Sequence, residues 1–241
     1  MTTMTAIDDV RRLERQDWEA VRRELDASGN AVLPGLLSAR ECAGLAALYP
    51  LEHGYRARIV MARHGFGRGE YKYWSYPLPP LVQRLRQMLY PQLVEVANRW
   101  NRQLGIDLSY PDTLESFLGR CHAAGQARPT PLMLQYGAGD YNCLHQDLYG
   151  EHVFPLQVAI LLSSPGKDFT GGEFVMTESG SGYQRADVVP LRQGDAVVFT
   201  VNHRPVRGKR GGARKAAMRH GVSLVRSGHR HTVGLIFHDA R

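Results

Sequence analysis

The spacing of apolar positions changes at about residue 129. Before it the period is helical: Val10, Leu13, Trp18, Val21 and Leu25 fall on one face of a helix predicted over residues 8–27. Gly29 follows, where a helix end favours a left-handed residue. "NAVLPGLL" reads as a short strand, and Ser38 with Glu41 has capping-box spacing, so a second helix is predicted to begin at "SAREC". Residues 53–80 are rich in Gly, Tyr, Arg and Pro without a sustained period, which predicts an ordered loop holding one strand. "LVQRLRQMLYPQLVEVANRWNRQLG" is helical again, and Pro91 is predicted to kink or split it, because proline lacks an N–H and crowds the preceding turn. A shorter helix is predicted near 112–124.

After Pro129 short apolar or β-branched runs alternate with turns: "PLMLQY", "FPLQVAILL", "EFVMTE", "ADVVPL", "DAVVFT", "HGVSLV" and "HTVGLIF". Such runs predict an antiparallel sandwich or barrel. The expected fold class is therefore α+β: a β core over 129–241, with a mainly helical half, 1–128, packed on it as part of one domain.

Composition changes this picture little. The apolar fraction, 43% of 241 residues, suits a globule with a core. Cys42, Cys121 and Cys143 are odd in number and far apart, which argues against a disulfide framework or a zinc knuckle. No window approaches a membrane span and the N-terminal residues lack a signal-peptide apolar stretch, so a cytoplasmic location with no membrane contact is expected. No obligate protein partner is evident. Charge is uneven: the chain carries +7, and nine Lys or Arg lie between His203 and Arg230 without one acid. That segment would attract a polyanion such as nucleic acid, or simply solvate a loop. The 56–74 stretch interleaves Arg56, Arg58, Arg63 and Arg68 with Tyr71, Tyr73 and Trp74; this composition suits a grip on single-stranded nucleic acid or a lid packed on the core.

"LHQDL" holds the candidate chemistry. If residues 143–148 are extended, His145 and Asp147 point to one face and can share an ion, as two members of a 2-His-1-carboxylate triad. Alone, H-x-D is a weak signal. Three downstream histidines are candidates for the third ligand. His203 sits in "NHRPVRGKRGG", which reads as a mobile loop; His220 opens a strand; His238 follows the last strand. His220 is preferred because Arg230, ten residues on, would lie on the adjacent strand of a hairpin, and a fixed guanidinium suits the far carboxylate of a diacid. The plain alternative for Arg230 is a surface arginine paired with Asp239. No P-loop, dinucleotide fingerprint or Ser/His/Asp triad competes, and "GFGRGE" lacks the strand and helix of a phosphate cradle.

H-x-D, then about seventy residues, then "HGVSLVRSGHR", with "TGGEF" between and "GDAVVF" before, resembles the iron(II)- and 2-oxoglutarate-dependent oxygenases of the double-stranded β-helix, or jelly-roll, fold. More narrowly, "YGAGDYNCLHQDLYGEHVFPLQVAILLSSPGKDFTGGEF" with "YPLPPLV" resembles a bacterial group of predicted oxygenases of damaged nucleic acid over nearly the whole chain. The broader resemblance implies iron(II) on His145, Asp147 and His220, Arg230 on the distal carboxylate of 2-oxoglutarate, and dioxygen as co-substrate. Tyr136, nine residues before H-x-D, stands where the prolyl-hydroxylase-like branch often places a tyrosine supporting the co-substrate. Asn142, Gln157 and Ser223 are candidates for hydrogen bonds around the site, and Cys143 for a place beside it. The alkylation-repair branch carries a second arginine six residues after the first; here that position is Ile236. The expected activity is thus hydroxylation or oxidative demethylation of a protein side chain or small molecule. The alternatives are oxidative repair of damaged or methylated nucleic acid, and a non-catalytic cupin-like metal-binding module.

Overall fold

The computed structural model describes residues 11–148, 150–208 and 211–241. Its large antiparallel sheet runs from edge to edge as β1 (Asn30–Leu33), β11 (Ala196–Thr200), β7 (Leu156–Leu161), β15 (Arg230–Leu235), β5 (Leu132–Tyr136), β4 (Glu70–Trp74) and β2 (Tyr55–Val60). A smaller sheet runs β10 (Tyr183–Val189), β9 (Phe174–Gly180), β13 (Ala213–Val222), β6 (Tyr141–His145) and β3 (Gly67–Arg68), with β12 (His203–Arg207) also paired to β13. A ribbon pairs β14 (Val225–Gly228) with β8 (Phe169–Gly171). The helices are α1 (Trp18–Ser28), α2 (Ala39–Ala46), α3 (Pro80–Gln103) and α4 (Leu114–Ala123).

Period two explains how one sheet serves two layers. All six side chains of β7 are buried, but alternate ones go to different neighbours. Leu156, Val158 and Ile160 join the cluster that contains the helices, whereas Ala159 and Leu161 join clusters facing the small sheet. On α3, Val82, Leu85, Leu89, Leu93, Val96 and Trp100 keep helical spacing and are buried in the same helix-side cluster. Burial of each such side chain contributes about 1.5–3 kcal/mol. The helices therefore back the large sheet, and its other face is free to oppose the small one.

Four expectations need correction. The helix predicted over 8–27 is interrupted: residues 11–14 are helical, and Asp17 then caps a new helix, its carboxylate accepting the Ala20 N–H at 2.9 Å; residues 8–10 lie outside the described ones. Pro91 does not split α3, which runs unbroken through it. Pro91 is on the exposed face, while the buried Leu89, Tyr90, Leu93 and Val94 hold the turns on both sides. The N-terminal half holds more strand than expected: the strand predicted at "NAVLPGLL" is present as β1 at one edge of the large sheet, but β2 and β4 form the other edge, so the stretch read as a loop with one strand holds three, β3 included. Its alternation was carried by Tyr and Lys instead of aliphatic residues. Finally, His203 lies on a strand, β12, not in a mobile loop. The capping box at Ser38 and Glu41 is present as predicted.

Candidate functional site

Register in the small sheet sets the first group of residues. β6 pairs with β13 so that His145 is opposite His220, and their ring centroids are 4.2 Å apart. Asp147 follows β6 by two residues and turns back between them. Its Oδ1 is 3.3 Å from His145 Nε2 and its Oδ2 is 3.5 Å from His220 Nε2. One donor atom from each residue lies within 4.8 Å of the others. His145 Nδ1–H donates to the Cys143 carbonyl at 2.8 Å, which fixes the ring with Nε2 turned toward Asp147. Phe199 and Phe174 pack against the His220 ring, at 4.5 and 6.1 Å between centroids.

The electrostatics suit a cation. Burial would raise the Asp147 carboxyl, but hydrogen bonding from both histidines outweighs it and holds the group far below the usual carboxylate range. Burial favours neutral His220 and lowers its pKa against the pull of Asp147; at His145 burial acts the same way but the carboxylate wins and the net shift is upward.

The large sheet supplies the opposite wall. Arg230 is paired with Tyr136 across β15 and β5, and both side chains are buried. The guanidinium donates from Nη1 to Thr232 Oγ1 at 2.5 Å and lies 5.7 Å from the centre of the Tyr136 ring. No carboxylate is in ion-pair range of it among the described residues. Burial pushes its pKa down to about 10, so it remains a cation at neutral pH. Burial also pushes the Tyr136 phenol up, keeping it a donor. Between these walls lies a cavity of about 190 Å³, lined by both groups together with Tyr71, Tyr73, Asn142 and Gln157.

This arrangement can be tested for fit. Buried N and O atoms without a hydrogen-bond partner cost about 1–3 kcal/mol each. Tyr136 Oη, Arg230 Nε, Gln157 Nε2 and His220 Nδ1 are such atoms. An imidazole, imidazole, carboxylate set suits ferrous iron with open positions, and an unpaired buried cation beside a phenol suits a carboxylate. A family of oxygenases described as catalysing oxidative methylation of damaged DNA matches residues 69–240. The chain belongs to this oxygenase family.

The uncharacterized protein Rv2227 of Mycobacterium tuberculosis is 52% identical to the oxygenase over 165 residues, 68% of this chain and 70% of that one. Among solved structures, a Pseudomonas putida prolyl-4-hydroxylase is 14% identical with a TM-score of 0.53, covering 93% of this chain and 99% of that one. A 2OG-Fe(II) oxygenase from Burkholderia pseudomallei is 16% identical with a TM-score of 0.52, covering 94% of each chain. At such identities the likeness is one of fold, the jelly roll with helical backing. Family and fold together imply iron(II), 2-oxoglutarate and dioxygen, the cofactors expected from the sequence.

The structure brings together His145, Asp147 and His220 on one wall and Tyr136 and Arg230 on the other, but not by the expected route. His220 and Arg230 are not partners in a hairpin: β13 is in the small sheet, β15 in the large one, and β14 intervenes. They face each other across the cavity. Among the remaining candidates, Asn142 and Gln157 line the cavity, whereas His203, His238, Cys143 and Ser223 do not. Ser223 donates to the Glu173 carboxylate, and Cys143 supports His145 through its carbonyl, not its thiol. Asp239, the sequence alternative as partner of Arg230, pairs instead with Arg86 at 2.9 Å. Thr232 and Phe199 were missed. Thr232 was accessible by the i, i+2 rule from Arg230; Phe199 became a neighbour of His220 only through sheet packing. No described helix is long and apolar enough to cross a membrane.

Proposed function

We propose that residues 1–241 form one iron(II)- and 2-oxoglutarate-dependent oxygenase, with 129–241 as its catalytic core. The observation that carries this reading is the placing of three converging metal donors opposite a buried, carboxylate-free guanidinium. His145, Asp147 and His220 would hold the iron; Arg230, with Thr232 and Tyr136, would take the distal carboxylate of 2-oxoglutarate. Bound together they would supply the oxidation in which dioxygen and 2-oxoglutarate are consumed, a substrate C–H becomes C–OH, and succinate and carbon dioxide are released. The chain's own part is positioning. Asp147 stays ionised, the Cys143 carbonyl fixes the His145 tautomer, and Phe174 and Phe199 keep water from the His220 edge.

For the substrate, damaged nucleic acid is the reading with most support, although the residue spacing alone favoured a protein side chain or small molecule. The family description points there. So does the rim, where Phe66, 39% exposed, both lines the cavity and stacks on His64 at 5.5 Å, between the exposed Arg63 and Arg68. The other cations of the 56–74 stretch are engaged: Arg56 donates to the Pro129 carbonyl and Arg58 pairs with Glu70.

The test is succinate release from 2-oxoglutarate by the iron-loaded protein. Arg230→Ala is expected to raise the KM for 2-oxoglutarate by about 10²-fold, the loss of a charge-assisted bidentate contact, and His145→Ala to abolish iron binding. Succinate formation that survives His145→Ala would sink the reading.

A further inference from the structure

Gln157 lies on the cavity floor, 4% exposed, with its amide Nε2 buried and unpaired. A glutamine at a central strand position buys nothing for the fold that leucine would not supply, since an unmade buried hydrogen bond is a cost. Register shows which end of the cavity it serves. β15 pairs with β7 at Thr232 opposite Leu161 and, running antiparallel, at Leu235 opposite Val158. Arg230 lies two residues beyond one end of that ladder and Gln157 one residue beyond the other. Six strand steps therefore separate their backbones, about 20 Å. Gln157 is therefore remote from the Arg230 end of the cavity, where the distal carboxylate would be held. In the other direction Gln157 is paired with Phe199 on β11, whose ring packs on His220. The unpaired amide thus opens at the level of the proposed metal donors, away from the proposed co-substrate anchor.

We propose that Gln157 is the specificity-determining residue of the oxygenase: its carboxamide takes the amide- or lactam-like edge of the group being oxidised, as a nucleobase presents it. A carboxamide offers donor and acceptor side by side in one plane, which matches that edge. Tyr71 and Tyr73, on the β4 positions paired with Leu134 and Leu132, add aromatic walls to the same cavity. This inference rests on the oxygenase reading of the site.

The experiment compares wild type with Gln157→Leu and Gln157→Glu as iron(II)-loaded proteins. Three quantities are read: the apparent melting temperature, the affinity for 2-oxoglutarate from its thermal protection, and the stimulation of succinate release by a methylated single-stranded oligonucleotide. The leucine variant is expected to melt at or above wild type, to bind 2-oxoglutarate within about twofold, and to lose about tenfold or more of the stimulation. A fall of several degrees in melting temperature would make Gln157 a structural residue, and a tenfold loss of 2-oxoglutarate affinity would make it a co-substrate ligand; either overturns the proposal. Stimulation of the wild type by methylated peptides and not by the oligonucleotide overturns the base-like substrate. No succinate under any condition overturns the oxygenase reading itself, a result distinct from all of these.

Discussion

His238 shows how a single residue ties this fold to pH. It is 1% exposed, and its Nδ1 accepts the Phe154 N–H at 3.2 Å, a role open only to the neutral ring. Burial, with the charge of Arg86 nearby, pushes its pKa from 6.5 down to about 4. The unfolded chain therefore binds the proton first. Stability is whole above pH 6.5 and declines as pH falls toward 4, by on the order of 3 kcal/mol for the full shift. His238→Asn, which keeps an acceptor and cannot titrate, is expected to flatten that acid limb in urea-unfolding midpoints measured from pH 7 to 4; an unchanged slope would refute the assignment. Legibility at this scale was uneven. His145 and Asp147 could be read because i, i+2 spacing is local. Gln157, Phe199 and His238 acquire their meaning from strands far away in sequence, so the first and last could be named but not assigned their roles, and Phe199 was missed.

Elements whose signals are local were read well, and those held by long-range pairing were not. Ser38 and Glu41 announce α2 within four residues, whereas nothing inside "EYKYW" says that β4 will pair with β5. The split of β13 and β15 between two sheets was hidden for the same reason: a ten-residue step suits a hairpin, and only the pairing of β14 with β8 shows that the chain crosses over. One long-range tie carries a measurable load. Arg86 on α3 is wholly buried against Asp239, which also accepts from Tyr76 Oη and faces His122 Nε2, each at 2.9 Å. The Arg86 Nε donates to the Ile236 carbonyl at 2.9 Å, so the tie fastens the segment after β15 to the helix layer. Arg86→Met is expected to cost about 3–5 kcal/mol, because it leaves a buried carboxylate without its cation. The double variant with Asp239→Asn should recover part of that loss, as a double-mutant cycle of denaturant midpoints will show.

On the scale of the whole molecule, cations occupy two distinct surfaces. Arg63 and Arg68 are exposed on either side, in sequence, of the cavity-lining Phe66, while Lys215 and Arg219 are exposed on the outer face of β13, whose inner positions Met218 and His220 are buried. The sequence grouped the second set into one basic stretch but could not show that alternation turns it away from the cavity. If single-stranded nucleic acid is presented to the site, the rim arginines should carry the contact. Replacing Arg63 and Arg68 by alanine is expected to reduce the slope of log affinity against log salt by about 1.4, at roughly 0.7 per phosphate contact on a single strand. Lys215→Ala with Arg219→Ala should move the slope less, and the reverse ranking in fluorescence titrations would place the strand on the outer face. The division of labour between the sheets has one more consequence. Because the proposed metal donors belong to one sheet and the guanidinium to the other, a diacid lying between them would act as a clasp closing the sandwich, so that occupancy of the site and the stiffness of the whole barrel become a single variable.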